Sequence, residues 1–395
     1  MLYSLSITKI QKRKFKGDKI MKKVLALILA LTFCIACFAA CTGNTTEETT
    51  AAGEETTVAD AVYGDTNFST IKVGTGSTTG TYYAFATASL QAITTSEYGF
   101  EVVSTGGSQA NIEGIEDGDY HFATVQNDVM NYAYKGVNGF SAPITSFSAV
   151  ACIYPEVVQL VATAASGIKS VEDLKGKMVG IGDVGSGTYY NAMQILEAAG
   201  IDAENDIKTT PASFGDAAAG LKDGSIDAAF VTAGTPTTAI TELATSTDVV
   251  VVDLGEEVIN ALVEAYPFYT LYEVTNADYT FVEETVKTVA IMATYVVTNE
   301  MSEDQVYEIT KALWETEDVK TCHAKGAQMD INTTLNGIGD VPLHPGAEKY
   351  YIEAGILEGD AAEETTAEEA AEETTVEEAA EETTVEEAVE ETTAE

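Results

Sequence analysis

The sequence predicts an α/β fold built as two lobes. Two observations lead to this prediction. Short apolar segments alternate with helical stretches between residues 66 and 360, and one strand–loop–helix unit occurs twice, at 73–83 and at 179–190. About 300 residues of this kind are enough for two lobes rather than one. Each unit has a loop of Gly, Ser and Thr, so we expect each lobe to direct one polar loop to a shared cleft.

Apolar runs rich in Val, Ile, Ala and Phe predict the strands of this fold. In chain order these strands cover residues 71–73, 101–104, 122–125, 157–163, 178–181, 228–231, 249–252 and 289–297. Longer stretches between them, with apolar residues three or four apart, predict helices. These helices cover residues 81–94, 108–114, 128–134, 170–174, 189–199, 214–222, 237–243, 302–314 and 347–354.

The order of these elements predicts two crossings of the chain between the lobes. We assign residues 66–149 to the first part of lobe 1, 150–272 to lobe 2 and 273–360 to the return into lobe 1. The crossings then lie near Val150 and within 269–276. Two crossings form a hinge, and the cleft between the lobes is where a ligand is expected.

The first 40 residues form a leader that is separate from the fold. Lys22 and Lys23 precede an uncharged apolar run over 24–40, as in an export signal. Small residues before Cys41 resemble a lipoprotein lipobox, which predicts cleavage and lipidation at that cysteine. The alternative is an uncleaved signal anchor. Both predict an extracytoplasmic protein anchored to the cell membrane.

The acidic composition excludes one class of partner and predicts two disordered segments. The formal net charge is −43, whereas nucleic-acid binding needs a basic surface. Residues 41–65 and 361–395 are rich in Glu, Thr and Ala, and the second segment repeats Glu-Glu-Thr-Thr. Neither contains an apolar stripe, so we expect disordered acidic segments on both sides of the fold. A cell-surface adhesin that uses these repeats is one alternative function.

Candidate ligand-binding residues follow the predicted strands, where loops and helix N-termini offer N–H groups to an anion. The only arginine, Arg13, lies in the leader, so we expect an anion to be bound by hydroxyls, amides and backbone N–H groups rather than by a guanidinium. Thr81 and Thr188 have an alternative role as helix caps, and Asp128 is either a cap or a partner for an amino group. The predicted ligand-binding residues are Thr81, Tyr82, Ser108, Asn111, Gln126, Asn127, Ser186, Gly187, Thr188 and Gly234.

The sequence predicts no catalytic residue, no metal site and no cofactor. No spacing of Cys, His, Asp and Glu is typical of a metal site. The serine between Gly185 and Gly187 lacks the spacing of a nucleophile elbow. A dinucleotide-binding loop at 180–185 is an alternative, but the export signal argues against it because an exported protein meets little nicotinamide cofactor. We expect Cys152 and Cys322 to be free thiols, with a disulfide between them as the alternative.

Several motifs, in this order, resemble one family of solute receptors. They include the two Gly/Ser/Thr loops, the Gly-Gly-Ser segment at 106–108, Tyr154-Pro155-Glu156 and the His-Pro-Gly segment at 344–346. Together they are similar to the TAXI family, the receptors of one class of tripartite ATP-independent periplasmic (TRAP) transporters. The resemblance covers residues 70–357.

This resemblance implies a fold and a function. The fold is a two-lobed, periplasmic-binding-protein-like (type II) α/β fold with a hinged cleft. The function is capture of a small carboxylate, a glutamate-like amino acid or an organic acid, and its delivery to a TRAP-type membrane permease by a monomeric receptor that is not an enzyme. A substrate-binding lipoprotein of an ABC transporter is the alternative within the same fold.

Overall fold

This computed structural model describes residues 61–358, and one mixed β-sheet is formed by strands between Thr70 and Thr298. Its strands are β1 (Thr70–Gly74), β2 (Gly99–Val103), β3 (Phe122–Gln126), β4 (Phe147–Thr163), β5 (Met178–Gly180), β6 (Lys208–Thr210), β7 (Ala228–Ala233), β8 (Val249–Val252), β9 (Thr270–Val274) and β10 (Val286–Thr298). The strand order is β2-β1-β3-β10-β4-β7-β5-β6, with β8 also paired to β4 and β9 to β10.

Helices connect these strands and cover the sheet. They are α1 (Thr81–Ala92), α2 (Ser108–Glu116), α3 (Asn127–Lys135), α4 (Gly187–Ala198), α5 (Phe214–Asp223), α6 (Thr238–Ala244), α7 (Glu256–Ala265), α8 (Glu303–Glu315), α9 (Glu317–Thr321) and α10 (Pro345–Glu353). Strands β1, β2 and β3 pair in parallel, as do β5, β6 and β7, whereas β4 and β10 are antiparallel to each other and to their other neighbours.

The two longest strands connect two lobes. Along β10, the residues near Thr298 pair with β3, and those near Val286 pair with β9. Along β4, the residues from Val157 onward pair with β7. We call β1–β3 with α1–α3, α8 and α10 the first lobe, and β5–β9 with α4–α7 the second lobe. Both lobes share β4 and β10, so the sheet is continuous between them.

Each lobe has apolar clusters that anchor the helices carrying the site. Phe85 of α1 packs with Tyr295 of β10 in one cluster of the first lobe. In the second lobe, Leu196 of α4 packs in a cluster with Phe230 of β7. Burial of such side chains stabilises a protein by about 1.5–3 kcal/mol each, so the starts of α1 and α4 are held by well-packed helices.

The predicted α/β fold of two lobes is confirmed, with local differences. Strand β4 begins at Phe147, ten residues before the predicted start at 157, and residues 171–174 form a 3₁₀ turn where a helix was predicted. Strands β6 and β9 and helices α7 and α9 were not predicted. The assignment of residues 66–149, 150–272 and 273–360 to lobes stays a prediction.

Some predictions fall outside the described residues. The leader, the lipidation site Cys41 and both acidic segments lie before residue 61 or after residue 358, apart from residues 61–65 of the first acidic segment. Among residues 61–358, no helix has the length and hydrophobicity needed to cross a bilayer.

Candidate functional site

A cavity of about 260 Å³ lies between residues of the two lobes. Its wall consists largely of hydroxyl and glycine residues, with the amide of Gln126, the carboxyl groups of Glu156 and Asp183, and no lysine or arginine. Seven of the ten predicted ligand-binding residues line it: Thr81, Tyr82, Ser108, Gln126, Ser186, Gly187 and Thr188. The two predicted polar loops therefore lie at the same cavity, one from each lobe.

Four helices begin at the wall of this cavity, since the first residues of α1, α2, α4 and α5 all line it. Ser186 and Ser213 cap α4 and α5 through their side chains. In contrast, α1 and α2 follow Gly80 and Gly107 and have no side-chain cap. At α2 the N–H groups of Gln109 and Ala110 donate to the Gly185 carbonyl oxygen, so α1 is the helix start with no side-chain cap that can offer N–H groups and the positive end of its dipole to an anion.

The two threonines at these helix starts do not act as helix caps. Thr81 Oγ1 donates to the carbonyl oxygen of Gly234 over 2.9 Å, which joins α1 to the loop after β7. Thr188 Oγ1 accepts from the backbone N–H of Thr232 at 3.3 Å. Both threonines are buried, and Thr232 also lines the cavity. Their hydroxyls therefore brace the walls of the cavity.

Other contacts join the lobes beside the cavity. The backbone N–H of Gln109 donates to the carbonyl oxygen of Gly185 at 3.0 Å, and the Tyr190 hydroxyl donates to Gln109 Oε1 at 2.6 Å. The N–H of Ala239 donates to the carbonyl oxygen of Thr79 at 3.2 Å. These bonds connect loops that are far apart in sequence, so the structure has the two lobes in direct contact.

Gly187 is positioned where a side chain would displace its neighbour Gln126. A Cβ atom built on it would lie 1.9 Å from Gln126 Oε1, far inside van der Waals contact. The first residue of α4 in the second lobe therefore lies against the side chain that ends β3 in the first lobe. The absence of a side chain at Gly187 permits this approach.

Asn111 does not line the cavity, contrary to the predicted role. Its side-chain amide donates to the carbonyl oxygens of Thr75 at 2.6 Å and Thr124 at 2.8 Å, and its Oδ1 accepts from Thr105. All of its polar atoms are thus used inside the first lobe. It holds the loop after β1 against β3 and leaves no polar atom free for a ligand.

Asn127 and Gly234 also lie away from the cavity wall. Asn127 donates to the Gly337 carbonyl oxygen at 3.0 Å and accepts from the Met292 N–H at 2.9 Å, so its side chain fixes a loop to β10. Gly234 lies behind Thr81, to which it is hydrogen-bonded. The sequence shows which residues follow strands, but not which neighbours use their polar atoms.

Glu156 was not among the predicted ligand-binding residues, yet its side chain lines the cavity. It is only 1% exposed, and its Oε1 has no hydrogen-bond partner within the described residues. Burial raises the pKa of this carboxyl to about 8, although the nearby Tyr82 hydroxyl and Lys325 ammonium lower it. A carboxylate within an apolar strand is a sequence signal for a functional residue. This signal would have identified Glu156 if the predicted strand had begun at Phe147.

A buried polar network lies behind the cavity. Asn191 Nδ2 donates to Asp128 Oδ2 at 3.0 Å and to the Tyr269 hydroxyl at 2.8 Å. Its Oδ1 accepts from the Thr232 hydroxyl at 3.0 Å. Burial raises the pKa of Asp128 to about 7, while hydrogen bonds from Val129 and Asn191 lower it. Asp128 does not line the cavity. Because Asp128 is on α3 and Asn191 is on α4, their hydrogen bond connects the first lobe with the second.

Residues 61–358 contain no group of three or more His, Cys, Asp and Glu arranged to hold a metal ion. Cys152 is buried and Cys322 is exposed, and both are free thiols. Burial raises the pKa of the Cys152 thiol to about 11, while a bond with Thr294 lowers it.

A two-lobed α/β fold with a polar cavity between its lobes is thus the class of structure that the described residues define. The chain belongs to the NMT1-like family, whose model matches residues 73–355.

Several solved structures are similar to this chain at low identity. The periplasmic aliphatic sulphonate binding protein of Escherichia coli is 15% identical with a TM-score of 0.38, covering 67% of this chain and 80% of its own. A binding protein component of an ABC phosphonate transporter from Pseudomonas aeruginosa is 14% identical with a TM-score of 0.42, covering 80% and 99%. An ABC uptake transporter substrate binding protein from Streptococcus pneumoniae with bound histidine is 15% identical with a TM-score of 0.44, covering 66% and 94%.

Proposed function

We propose that this protein is an extracytoplasmic solute receptor that captures a small carboxylate between its two lobes and delivers it to a membrane permease. The observation that carries this proposal is the cavity of about 260 Å³ at which helices from both lobes begin. Its volume suits a small metabolite, and its polar wall suits an ionised one. The proposed role is binding and delivery, without a catalytic step.

The binding cycle follows from the shared strands and from the contacts between lobes. An open form exposes the start of α1, and a carboxylate binds to its first N–H groups, which have no side-chain cap. Closure then brings the start of α4 against the same ligand. A ligand favours the closed form only to the extent that it binds that form more tightly, so contacts from the second lobe determine closure.

We further propose that the permease is of the TRAP type and that the ligand is a glutamate-like amino acid or an organic acid. The support is the resemblance of the ordered motifs over residues 70–357 to TAXI receptors. We propose that the receptor is a monomer, held at the membrane by a lipid on Cys41.

Thermal unfolding of the full chain in the presence of amino acids and of mono- and dicarboxylic acids tests capture. A ligand that binds the native state raises the unfolding midpoint. We expect at least one small carboxylate to do so, and we expect Thr188→Ala to weaken its binding. A screen in which only cell-wall glycans or matrix proteins respond would instead support the adhesin alternative.

Uptake of the identified ligand by cells that carry the receptor distinguishes the two transporter classes. A TRAP permease is driven by an ion gradient, so an ionophore should abolish uptake while ATP remains. Uptake that persists until ATP is depleted would support an ABC transporter. In the same cells, Cys41→Ala should release the receptor from the membrane fraction, whereas continued retention would support a signal anchor.

A further inference from the structure

Three buried polar atoms in the cavity wall have no hydrogen-bond partner within the described residues. They are the Tyr82 hydroxyl, Gln126 Oε1 and Glu156 Oε1. The three side chains are at most 9% exposed. Leaving a buried polar atom unpaired costs about 1–3 kcal/mol, so three such atoms around one cavity indicate that a ligand pairs with them.

The chemistry of these atoms limits what can pair with them. The amide oxygen Gln126 Oε1 is an acceptor only, and an ionised carboxylate at Glu156 is also an acceptor only. The Tyr82 oxygen can accept as well as donate. A ligand group that pairs with all three must therefore supply several hydrogen-bond donors at one place.

Within the described residues, no cationic side chain forms an ion pair with Glu156. Lys325 is the nearest cation, but among residues 61–358 the two side chains form no ion pair, and Lys325 Nζ donates instead to Gln328 Oε1 at 3.1 Å. The other ionisable groups around Glu156 are the phenols of Tyr82 and Tyr154 and the buried carboxyl of Asp128, and the carboxyl of Asp183 lines the same cavity. A cationic donor on the ligand would complete this environment.

We propose that Glu156 and Gln126, with Tyr82, form a subsite for the ammonium group of a zwitterionic ligand, so that the captured solute is an amino acid rather than a dicarboxylate. This inference rests on the proposed function, because it assumes that the cavity holds the transported solute. An ammonium has three donors, one for each unpaired oxygen. The ligand carboxylate then binds at the start of α1, whose first N–H groups have no side-chain cap.

The subsite also sets the charge balance of binding. Burial raises the pKa of Glu156 to about 8 in the empty cavity, so its carboxyl is largely protonated at pH 7. An arriving ammonium favours the carboxylate. The carboxyl proton passes to solvent, no covalent bond between protein and ligand forms, and one carboxylate pairs with one ammonium. Binding of an amino acid should therefore release up to one proton.

A thermodynamic cycle on the full chain tests this subsite. Titration calorimetry would compare amino acids with their desamino analogues, for example L-glutamate with glutarate and L-alanine with propionate. The amino member of a bound pair should bind more tightly, and Glu156→Gln should weaken it by about 10- to 100-fold, the range for a hydrogen bond to a charged group. The affinity for the desamino member should change by less than about threefold in Glu156→Gln.

The matched control is Glu101→Gln, which removes an exposed carboxylate on β2 outside the cavity and should leave both affinities unchanged. Titrations in buffers of different ionisation enthalpy report protons released on binding. Wild type should release protons with the amino acid, and Glu156→Gln should not. If Glu156→Gln fails to fold, proton release by the wild type, measured in the different buffers, tests the subsite without the variant.

The possible failures are distinguishable. If desamino acids bind as tightly as amino acids, or if Glu156→Gln leaves amino-acid affinity unchanged, the subsite is wrong and the receptor proposal stands. Amino-acid binding to wild type without proton release would likewise overturn it. If the wild type binds no member of any pair and no other solute, both proposals fail together.

Discussion

Thr81 and Gly234 join the two lobes through one hydrogen bond, in which the threonine hydroxyl donates to the glycine carbonyl oxygen over 2.9 Å. Thr81 begins α1, and Gly234 follows β7 at a separation of 153 residues. The bond lies beside the cavity, because Thr81 also lines it. In the proposed cycle, a residue that lines the cavity and contacts the opposite lobe would link ligand capture to closure.

Replacing Thr81 with alanine should weaken ligand binding more than it weakens the fold. The substitution removes one buried bond between the lobes, which contributes about 1 kcal/mol, or about fivefold in affinity. Titration calorimetry with the identified ligand measures this change. The control is Thr87→Ala on the exposed face of the same helix, where the hydroxyl bonds only to the Tyr83 carbonyl oxygen. Equal effects of the two substitutions would contradict the link.

Gly187→Ala should prevent the approach of the lobes at the cavity. The new methyl group would occupy the position of Gln126 Oε1, so either Gln126 or the start of α4 must move. We expect affinity to fall by about tenfold or more, the range for overpacking at a closed contact. Gly99→Ala is the control, since a Cβ there lies 3.6 Å from its nearest neighbour. Unchanged affinity in Gly187→Ala would show that the ligand binds without this contact.

The repeated strand–loop–helix unit could be predicted because its signals are local. Val73 and Val179 end apolar runs, and the glycines and hydroxyl residues that follow are typical of loops before helices. Both units form as predicted, and their loops meet at one cavity. The repeated local pattern thus indicated five of the seven predicted residues in the cavity wall, whereas Ser108 and Gln126 lie outside both copies.

The role of Glu156 could not be predicted from local propensity. Proline and glutamate are disfavoured in strands, so the predicted strand began after Pro155 and Glu156. In the structure β4 continues through both, with Pro155 opposite Met292 and Glu156 opposite Ile291 of β10. Pairing between strands so far apart in sequence outweighs local preference. The same limit applies to Asn111, whose amide is used by neighbours that the sequence does not identify.

Replacing Asn191 with leucine should destabilise the whole fold rather than only ligand binding. Asn191 bonds to Asp128, Tyr269 and Thr232, and the substitution leaves these buried polar groups without that partner. We expect a loss of about 1–3 kcal/mol in the free energy of unfolding, measured by urea denaturation. Asn205→Ala, in an exposed turn, is the control and should cost less. A loss in Asn191→Leu no larger than that of the control would show that water replaces the network.

The stability of the empty receptor should fall as pH rises through 7 and 8. Burial raises the pKa of Asp128 to about 7 and that of Glu156 to about 8, so the unfolded chain loses these protons at lower pH than the folded one. Their contribution is complete below the ordinary pKa values and is lost as pH passes the folded values, with a slope of up to about 1.4 kcal/mol per pH unit for each proton.

Urea denaturation of wild type, Asp128→Asn and Glu156→Gln between pH 6 and 8 measures this slope. Each variant removes one of the two titrating groups, so its curve should be flatter than that of wild type, and the double variant should be flattest. Burial lowers the pKa of His344 to about 4, so protonation of this histidine destabilises the fold as pH falls. His344 is present in wild type and in both variants, so its contribution cancels when the curves are subtracted. Parallel curves for wild type and both variants would mean that neither carboxyl holds its proton in the folded receptor, and the protonated state of Glu156 in the empty cavity would have to be abandoned.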